Sequence, residues 1–366
     1  MNLTFHVIVT ARCVALLAWT LTVFALLSSA CASAQPAQYE GPDRMQRLVD
    51  GARREAVVNV YSSMVDKDLR RLAAAFEKKY AIKVNIWRSG KNKVLQRVLT
   101  EAQAGRYEAD IVHNPSPEME ALVREKLLQP VRSPVQLELI PGAMPAHRMW
   151  AGPRVYIFIQ AYNTNKVKRE ELPKTWVELL DPRWKGRLGI EGKEQEWFYT
   201  LVQTMGEDKG LAFFRQLVAT NGLSVRMGNA LLNNMVVAGE VPMALTLYSY
   251  LPEQSKKAGA PIDWFSLSPT IAYTDGIAVT RNAQHPHAAV LFYDFMLGEG
   301  QGLMAEMNHV VTNRRQESSL EKFQLKFIDV DAVLDNYERW NRLFEDTING
   351  RAASSPATSP KPMAGG

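Results

Sequence analysis

The sequence predicts an α/β protein in which mainly parallel sheets flanked by helices form two lobes. From residue 57 onward, short segments rich in β-branched residues alternate with longer amphipathic segments. This alternation is typical of parallel strands joined by right-handed crossovers. A proline-rich, aperiodic stretch at 130–153 indicates a crossing between lobes. Ligands on such sheets bind beyond the carboxyl ends of the strands, so the residues that follow each strand are site candidates.

The first lobe is predicted as three successive strand–helix pairs. The strands are 57–61, 82–86 and 109–112, each with β-branched or alternating apolar residues. The helices that follow carry apolar residues at i, i+3 and i+4, as in Leu69, Leu72 and Phe76. Three such pairs in a row predict a parallel sheet covered by helices.

The second lobe is predicted to begin with an apolar strand at 155–161. Helices follow around 197–205 and 209–219, then a strand at 241–247. One more strand at 277–280 and a helix that starts at Pro286 come next in the chain. The last residues, 351–366, are poor in apolar side chains and predict a disordered tail.

The first 34 residues predict an export signal. Arg12 is followed by an apolar run at 13–27, and Ala32-Ser33-Ala34 forms an A-x-A cleavage site before Gln35. The apolar run is short for a membrane span. We therefore expect an exported, periplasmic protein. The alternative is a lipoprotein anchored through Cys31, which follows the apolar run.

Cysteine content and charge exclude several function classes. Cys13 and Cys31 are the only cysteines and both lie in the predicted signal, so the mature chain has no thiolate nucleophile and no disulfide. The 43 basic and 38 acidic side chains are interspersed, which does not indicate a nucleic-acid partner. Nucleophile-elbow, H-E-x-x-H and nucleotide-binding motifs are absent in the required contexts. We predict a monomeric protein that is not an enzyme.

Six segments in order resemble a family of binding proteins. They are VVNVYSS, RSGKNKVLQRVLTEAQAGRYEADIVH, LPKTWVELLDPRWKGRLGI, NALLNNMVVAGEVPMALTLYSY, KKAGAPIDW and DGIAVTRNAQHPHAAVLFYDFML. Together they resemble the extracellular solute-binding proteins of ABC importers, in the branch of ferric-iron, thiamine, polyamine and phosphonate binders, and most of all the iron(III) binders. The resemblance covers about residues 57–314.

This resemblance implies a type II periplasmic binding protein fold. Two crossing strands, near 137–153 and 270–275, would act as the hinge. Lobe 1 would comprise 35–137 and 276–325, and lobe 2 would comprise 138–275 and 326–350. The ligand would bind between the lobes and pass to a membrane permease and its ATPase. No resident cofactor is implied, since a ferric ion would be the transported ligand.

Candidate ligand residues in lobe 1 directly follow the predicted strands. They are Ser62 and Ser63, then Arg88, Ser89 and Gly90, and finally His113 with Asn114. Hydroxyl and backbone N–H groups at a helix start hold anions, and an arginine can add a bidentate contact. The alternative is structural: the serines would cap the next helix, and His113 would be an internal hydrogen-bonding group.

Candidate residues in lobe 2 come from two places. In the segment 191–197, Glu191 and Glu196 are predicted to face a cation or amine, and Trp197 to stack on a ligand; the alternative is a solvated helix start. The second place is Tyr248-Ser249-Tyr250. The iron binders carry two adjacent tyrosines here as phenolate ligands, so the resemblance implies Tyr250, and less directly Tyr248, as metal ligands.

Three departures from the iron-binder pattern keep other ligands open. Ser249 stands where the family has one of its tyrosines, and Met64 or Val65 and Pro115 stand where it has a histidine and an acidic ligand. The alternatives are therefore a small organic solute, such as a phosphonate, polyamine or thiamine-like compound, or a sensing role in which the protein docks on a receptor. The two tyrosines would then be ordinary strand-end aromatics.

Overall fold

The computed structural model describes residues 35–316 and 324–348. The predicted signal at 1–34, with Cys13 and Cys31, and the predicted tail at 351–366 lie outside the described residues. Across the described ranges, no helix combines the length and apolar character needed to cross a membrane.

Lobe 1 is built on three parallel strands and their crossover helices. Its elements are α1 (Arg44–Glu55), β1 (Val57–Ser62), α2 (Asp66–Tyr80), β2 (Lys83–Arg88), α3 (Lys91–Gln103), β3 (Ile111–Pro115) and α4 (Ser116–Arg124). Strand β1 pairs in parallel with both β2 and β3, so the carboxyl ends of all three strands lie at one edge. The three predicted strand–helix pairs are confirmed, and each strand ends slightly later than the sequence predicts.

Lobe 2 contains more strands than the sequence predicts. In chain order its elements are β4 (Arg154–Asn163), β5 (Leu188–Glu191), α5 (Gln195–Met205), α6 (Glu207–Asn221), β6 (Ser224–Arg226), α7 (Asn229–Ala238), β7 (Met243–Tyr248), α8 (Tyr250–Lys257), β8 (Ile262–Phe265) and β9 (Thr270–Val279). Strands β5, β6 and β8 have three or four residues each. Such short strands offer too few positions for a periodic pattern, which is why the sequence does not predict them.

Strands β4 and β9 join the lobes as an antiparallel pair. Val155 pairs with Thr274 and Ile157 with Ala272, while the far end of β9 pairs with β3 of lobe 1. Beyond these residues β4 pairs with β7 and β8, giving the strand order β2-β1-β3-β9-β4-β7-β5-β6. The first crossing strand thus begins at Arg154, directly after the predicted crossing at 137–153, whereas 270–275 lies within β9. The sheet is mixed because both crossing strands are antiparallel to the strands beside them in this order.

The C-terminal elements return to both lobes. They are α9 (Pro286–Leu297), α10 (Glu299–Glu306), β10 (Val310–Val311), β11 (Leu325–Phe327), α11 (Val330–Asp335) and α12 (Tyr337–Ile348). Helix α9 packs on α1 and α2, whereas α12 packs on α5 and α6. Arg124 of α4 forms salt bridges with Asp331 (3.0 Å) and Asp335 (2.7 Å), which connect α11 to lobe 1. The exact lobe boundaries stay a prediction.

Candidate functional site

A cavity of about 490 Å³ lies between the two lobes. From lobe 1 it is lined by the residues that follow β1, β2 and β3, and from lobe 2 by the ends of β5 and β7, the start of α7, and both crossing strands. This is the position at which open α/β sheets bind ligands, because strand carboxyl ends and helix amino ends converge there.

A wider groove of about 730 Å³ lies on lobe 1 beside β1 and β2. Its polar side chains bond to one another: Arg97 Nε donates to Glu101 Oε1 (2.6 Å), and the Tyr61 hydroxyl donates to the same oxygen (2.9 Å). The Arg97 guanidinium also lies 4.3 Å from the centre of the Trp87 ring. These contacts hold α3 on the sheet, so we take the cavity between the lobes as the candidate site.

Four tyrosines form the lobe 2 side of the cavity, which we name the phenol wall: Tyr156, Tyr248, Tyr250 and Tyr273. Strand pairing brings them together, since Tyr156 lies opposite Tyr273, and Tyr248 ends the strand next to β4. The rings of Tyr156 and Tyr248 are 4.4 Å apart, and those of Tyr248 and Tyr250 are nearly parallel at 6.3 Å. The wall is thus a compact array of phenol groups.

Hydrogen bonds orient these phenols. The Tyr273 hydroxyl donates to the Tyr248 oxygen (2.7 Å), and the Tyr248 hydroxyl donates to Glu194 Oε1 (2.8 Å). Burial raises the pKa of Tyr250 to about 12 against the lowering effect of the Arg154 charge. Burial also raises the pKa values of Tyr156, Tyr248 and Tyr273 well above the ordinary value. All four phenols are therefore protonated at neutral pH, and a ligand that binds phenolate must displace a proton.

A buried charge network supports the phenol wall from below. Arg154 Nε donates to Asp275 Oδ2 (2.6 Å), and the same guanidinium contacts the Tyr156 hydroxyl and the His309 ring. The ring of Tyr250 packs on His309 at 4.2 Å. Burial and the Arg154 charge lower the pKa of His309 to about 4, so this histidine is neutral. The network links both crossing strands to β10, which fixes the phenol wall at the junction of the lobes.

The lobe 1 side of the cavity carries cations and the amino end of α3; we name Arg88, Ser89, Gly90 and Lys91 the basic wall. Gly90 caps α3 without a side-chain hydrogen bond, which leaves the first N–H groups of the helix at the cavity. Arg88 Nε donates to the Met64 carbonyl (3.0 Å), which holds the guanidinium at the cavity rim. This wall suits an anionic group.

The structure brings seven of the predicted site residues to the cavity. They are Ser63, Arg88, Ser89, Gly90, Glu191, Tyr248 and Tyr250. Glu191 is engaged with the backbone, since its carboxylate accepts hydrogen bonds from Gly228 N–H (2.8 Å) and Lys193 N–H (2.6 Å). Their roles in ligand binding stay a prediction.

Six predicted residues do not line the cavity. Asn114 is buried, and its Nδ2 donates to the carbonyl of Lys91 (3.0 Å). Trp197 is 1 % exposed and packs against Phe158, Trp176 and Phe214, so its prediction as a stacking wall is wrong. This indole is core because α5 turns it towards the centre of lobe 2. Ser249 is also buried, and its N–H donates to the carbonyl of Ile157 (3.0 Å).

Ser62, His113 and Glu196 are held by other side chains. Ser62 Oγ lies 3.0 Å from His113 Nδ1 and accepts a hydrogen bond from Met64 N–H (3.1 Å). His113 Nε2 lies 2.7 Å from Asp275 Oδ2. Glu196 is buried and pairs with Lys91 (2.9 Å). The structural alternative thus applies to His113. Ser62 is buried as well, but it does not cap α2, whose N-cap is Val65 without a side-chain hydrogen bond. The cation that Glu196 faces comes from the protein itself.

The sequence did not single out four side chains that shape the site: Tyr156, Tyr273, Glu194 and Lys91. The two tyrosines lie inside strands and not after them, so their approach depends on the register of β4 with β9. Lys91 contacts Glu194 and Glu196 across the cavity. Lys91 and Glu196 are 105 residues apart in the sequence. No local pattern encodes such a contact.

Comparison with known proteins identifies the family. The sequence profile of the bacterial extracellular solute-binding proteins matches residues 61–303. The chain belongs to this family. This solute-binding protein is 27 % identical over 312 residues to iron uptake protein A1 of Synechocystis sp., a match that spans 80 % of this chain and 83 % of that protein.

Solved structures agree with the architecture. The iron-bound HitA of Pseudomonas aeruginosa matches with a TM-score of 0.70 at 21 % identity, over 80 % of this chain and 99 % of that one. The periplasmic binding protein AfuA of Actinobacillus pleuropneumoniae, with exogenous fructose 6-phosphate bound, matches with a TM-score of 0.72 at 23 % identity, over 80 % and 98 %. At these identities the similarity shows the fold alone, and it confirms the predicted two-lobed class.

Proposed function

We propose that this solute-binding protein captures ferric iron together with a small anion between its lobes and delivers it to the permease and ATPase of an ABC importer. The phenol wall is the observation that carries the proposal. Phenolate is a hard oxygen donor that suits a trivalent cation, and the charge of that cation offsets the cost of ionising a buried phenol.

The remaining coordination would come from outside the protein. Val65 and Pro115 line lobe 1 beside the basic wall, and neither side chain donates to a metal. Among the described residues, no cluster of three His, Cys, Asp or Glu side chains is arranged to hold a metal ion. The proposed site therefore relies on the phenols of lobe 2 and on an anion or water that completes the coordination sphere.

The amino ends of two helices support binding of this anion. Ser89 and Gly90 precede α3, and Gly228 precedes α7, and all three residues line the cavity. First-turn N–H groups and the positive end of the helix dipole favour an anion. The iron-related names of iron uptake protein A1 and of iron-bound HitA support iron as the cation.

The second candidate ligand is a phosphorylated organic solute. The same helix amino ends and Arg88 would hold its phosphate, and the phenol rings would pack on its organic part. The fructose 6-phosphate bound to AfuA supports this alternative. A polyamine fits less well, because the helix amino ends and Arg88 favour an anionic group over a cation.

The test combines thermal shift with visible absorption. Ferric citrate, ferric nitrilotriacetate with and without phosphate, fructose 6-phosphate, a phosphonate, a polyamine and thiamine are screened, because a ligand that binds only the folded state raises its apparent stability. Ferric iron on tyrosinate gives a charge-transfer colour. We expect a coloured complex with the wild type, loss of affinity by about 100-fold or more for Tyr250→Phe, and a smaller loss for Tyr248→Phe.

Tyr162→Phe is the matched control, because Tyr162 is a buried lobe 2 tyrosine in β4 that packs against Phe265 away from the cavity. It is expected to keep both colour and affinity. A wild-type protein that stays colourless with excess ferric chelate but is stabilised by a phosphorylated solute would replace iron with the second candidate.

A further inference from the structure

We infer that Lys91 is a positioning residue that couples closure of the two lobes to the orientation of Tyr248. The inference rests on the proposed function for the identity of the ligand. Lys91 belongs to lobe 1, where it is the first residue of α3, whereas its partners belong to the start of α5 in lobe 2.

The contact across the cleft is a shielded ion pair. Lys91 Nζ lies 2.9 Å from Glu196 Oε2 and 3.5 Å from Glu194 Oε2. The Lys91 side chain is 13 % exposed and the two carboxylates are 4 % and 2 % exposed. Attraction between charges is stronger in such an environment than at the surface, and removal of one partner leaves the others uncompensated.

Glu194 transmits this contact to the phenol wall. Its other oxygen, Oε1, accepts hydrogen bonds from the Tyr248 hydroxyl (2.8 Å) and from Asn229 Nδ2 (2.8 Å). Tyr248 in turn accepts a hydrogen bond from Tyr273 (2.7 Å). An unbroken series of polar contacts thus runs from an ammonium group of lobe 1 to a candidate ligand of lobe 2.

Glu118 of lobe 1 does not replace these carboxylates as a counter-ion. It is 5 % exposed, and its Oε2 has no hydrogen-bond partner in the part of the chain that is described. Burial raises the pKa of this carboxyl to about 8, so it is protonated at neutral pH. Separation of the lobes therefore removes both ion-pair partners of the Lys91 ammonium group, and this makes the position of Glu194 depend on closure.

The experiment compares Lys91→Met, Lys91→Arg and Lys83→Met with the wild type. Lys83 is exposed at the opposite end of β2, so its variant matches the loss of charge away from the site. The readouts are the dissociation rate of the ferric complex into excess chelator, the wavelength of its charge-transfer band, and the radius of gyration with and without ligand. We expect Lys91→Met to dissociate about tenfold faster, to shift the band and to compact less on binding.

Lys91→Arg keeps the charge and should restore the band and most of the rate, whereas Lys83→Met should match the wild type. A Lys91→Met protein that matches Lys83→Met in rate, band and compaction overturns the inference. If Lys91→Met does not fold, Glu196→Gln is measured in its place. We expect it to change the dissociation rate, the band and the compaction in the same direction but by less. No change in these readouts overturns the inference. If the wild type binds no ferric iron, the proposed function is wrong and the inference about Lys91 is still testable. The compaction of the wild type and of Lys91→Met is then compared with the solute that the protein does bind.

Discussion

The two walls of the cleft differ in what they offer a ligand and in how firmly they are held. The phenol wall is buried, and its side chains are fixed by strand pairing and by the Arg154 and His309 contacts beneath it. The basic wall is a helix start whose Arg88 is exposed. We therefore propose that lobe 2 presents an aligned array of donors, and that lobe 1 presents charge and backbone N–H groups that reach the ligand when the lobes close.

We propose that the two walls have separate roles, with lobe 2 capturing the cation and lobe 1 closing over it. A cation that replaces phenol protons needs donors that are already aligned, because alignment on binding would cost ordering entropy. An anion that completes the coordination can be met by a helix end, which needs only its exposed N–H groups. We therefore expect lobe 2 to bind first and lobe 1 to close afterwards.

The largest expected effect concerns the core of lobe 2 next to the phenol wall. Trp197→Ala removes a buried indole that packs against Phe158, which in turn contacts Tyr248, and we expect the free energy of unfolding to fall by about 3–5 kcal/mol. The folded fraction should keep the ferric colour. Urea titration measures the free energy of unfolding. Trp87→Ala is the control, because Trp87 is a half-buried tryptophan of lobe 1 whose removal should lower this free energy by less. Lost affinity at unchanged stability would restore Trp197 as a ligand contact.

The next effect concerns the buried carboxyl behind the basic wall. Burial raises the pKa of Glu118 from 4.5 to about 8, so the native state holds a proton that the unfolded chain has released between these pH values. Its contribution to stability is full below about pH 4.5 and is lost as the pH rises towards 8. Glu118→Gln should remove this dependence and raise stability at pH 8 on the order of 2–4 kcal/mol.

Chemical denaturation at several pH values measures this effect. Glu125→Gln, at the exposed end of the same helix, is the control and should keep the wild-type pH profile. If Glu118→Gln and the wild type lose stability in parallel as the pH rises, Glu118 does not carry the proton.

The smallest expected effect concerns the contribution of the basic wall to ligand affinity. Arg88→Met removes an exposed cation at the cavity rim, and exposed charges contribute about 1 kcal/mol or less. We expect ferric affinity in the presence of phosphate to fall by about fivefold at low salt and the difference to shrink at high salt. Titration at two salt concentrations measures it, with Lys83→Met as the control. A loss as large as that of Tyr250→Phe would contradict the division of tasks between the walls.

Local patterns in the sequence predicted much of the fold and part of the site. The β-branched run at 57–61 predicts a strand. The spacing of Leu69, Leu72 and Phe76 predicts a helix. Both predictions are possible because each pattern lies within one element. Residues after strands, such as Ser89 and Gly90, could be placed at the cleft for the same reason. The prediction for Trp197 is wrong although a signal is present: Trp197, Phe198, Leu201 and Val202 recur at helical spacing on the apolar face of α5, which indicates a core side chain.

The α/β class, the family resemblance and the tyrosines at the end of β7 could be predicted from the sequence, since they depend on local pattern and on order along the chain. The rest of the phenol wall could not, because it needs the antiparallel register that sets Tyr156 opposite Tyr273. The tertiary structure also decided the meeting of Lys91 with Glu194 and Glu196, which depends on how two lobes approach each other. Contacts between distant segments depend on how whole elements pack, so local sequence patterns do not predict them.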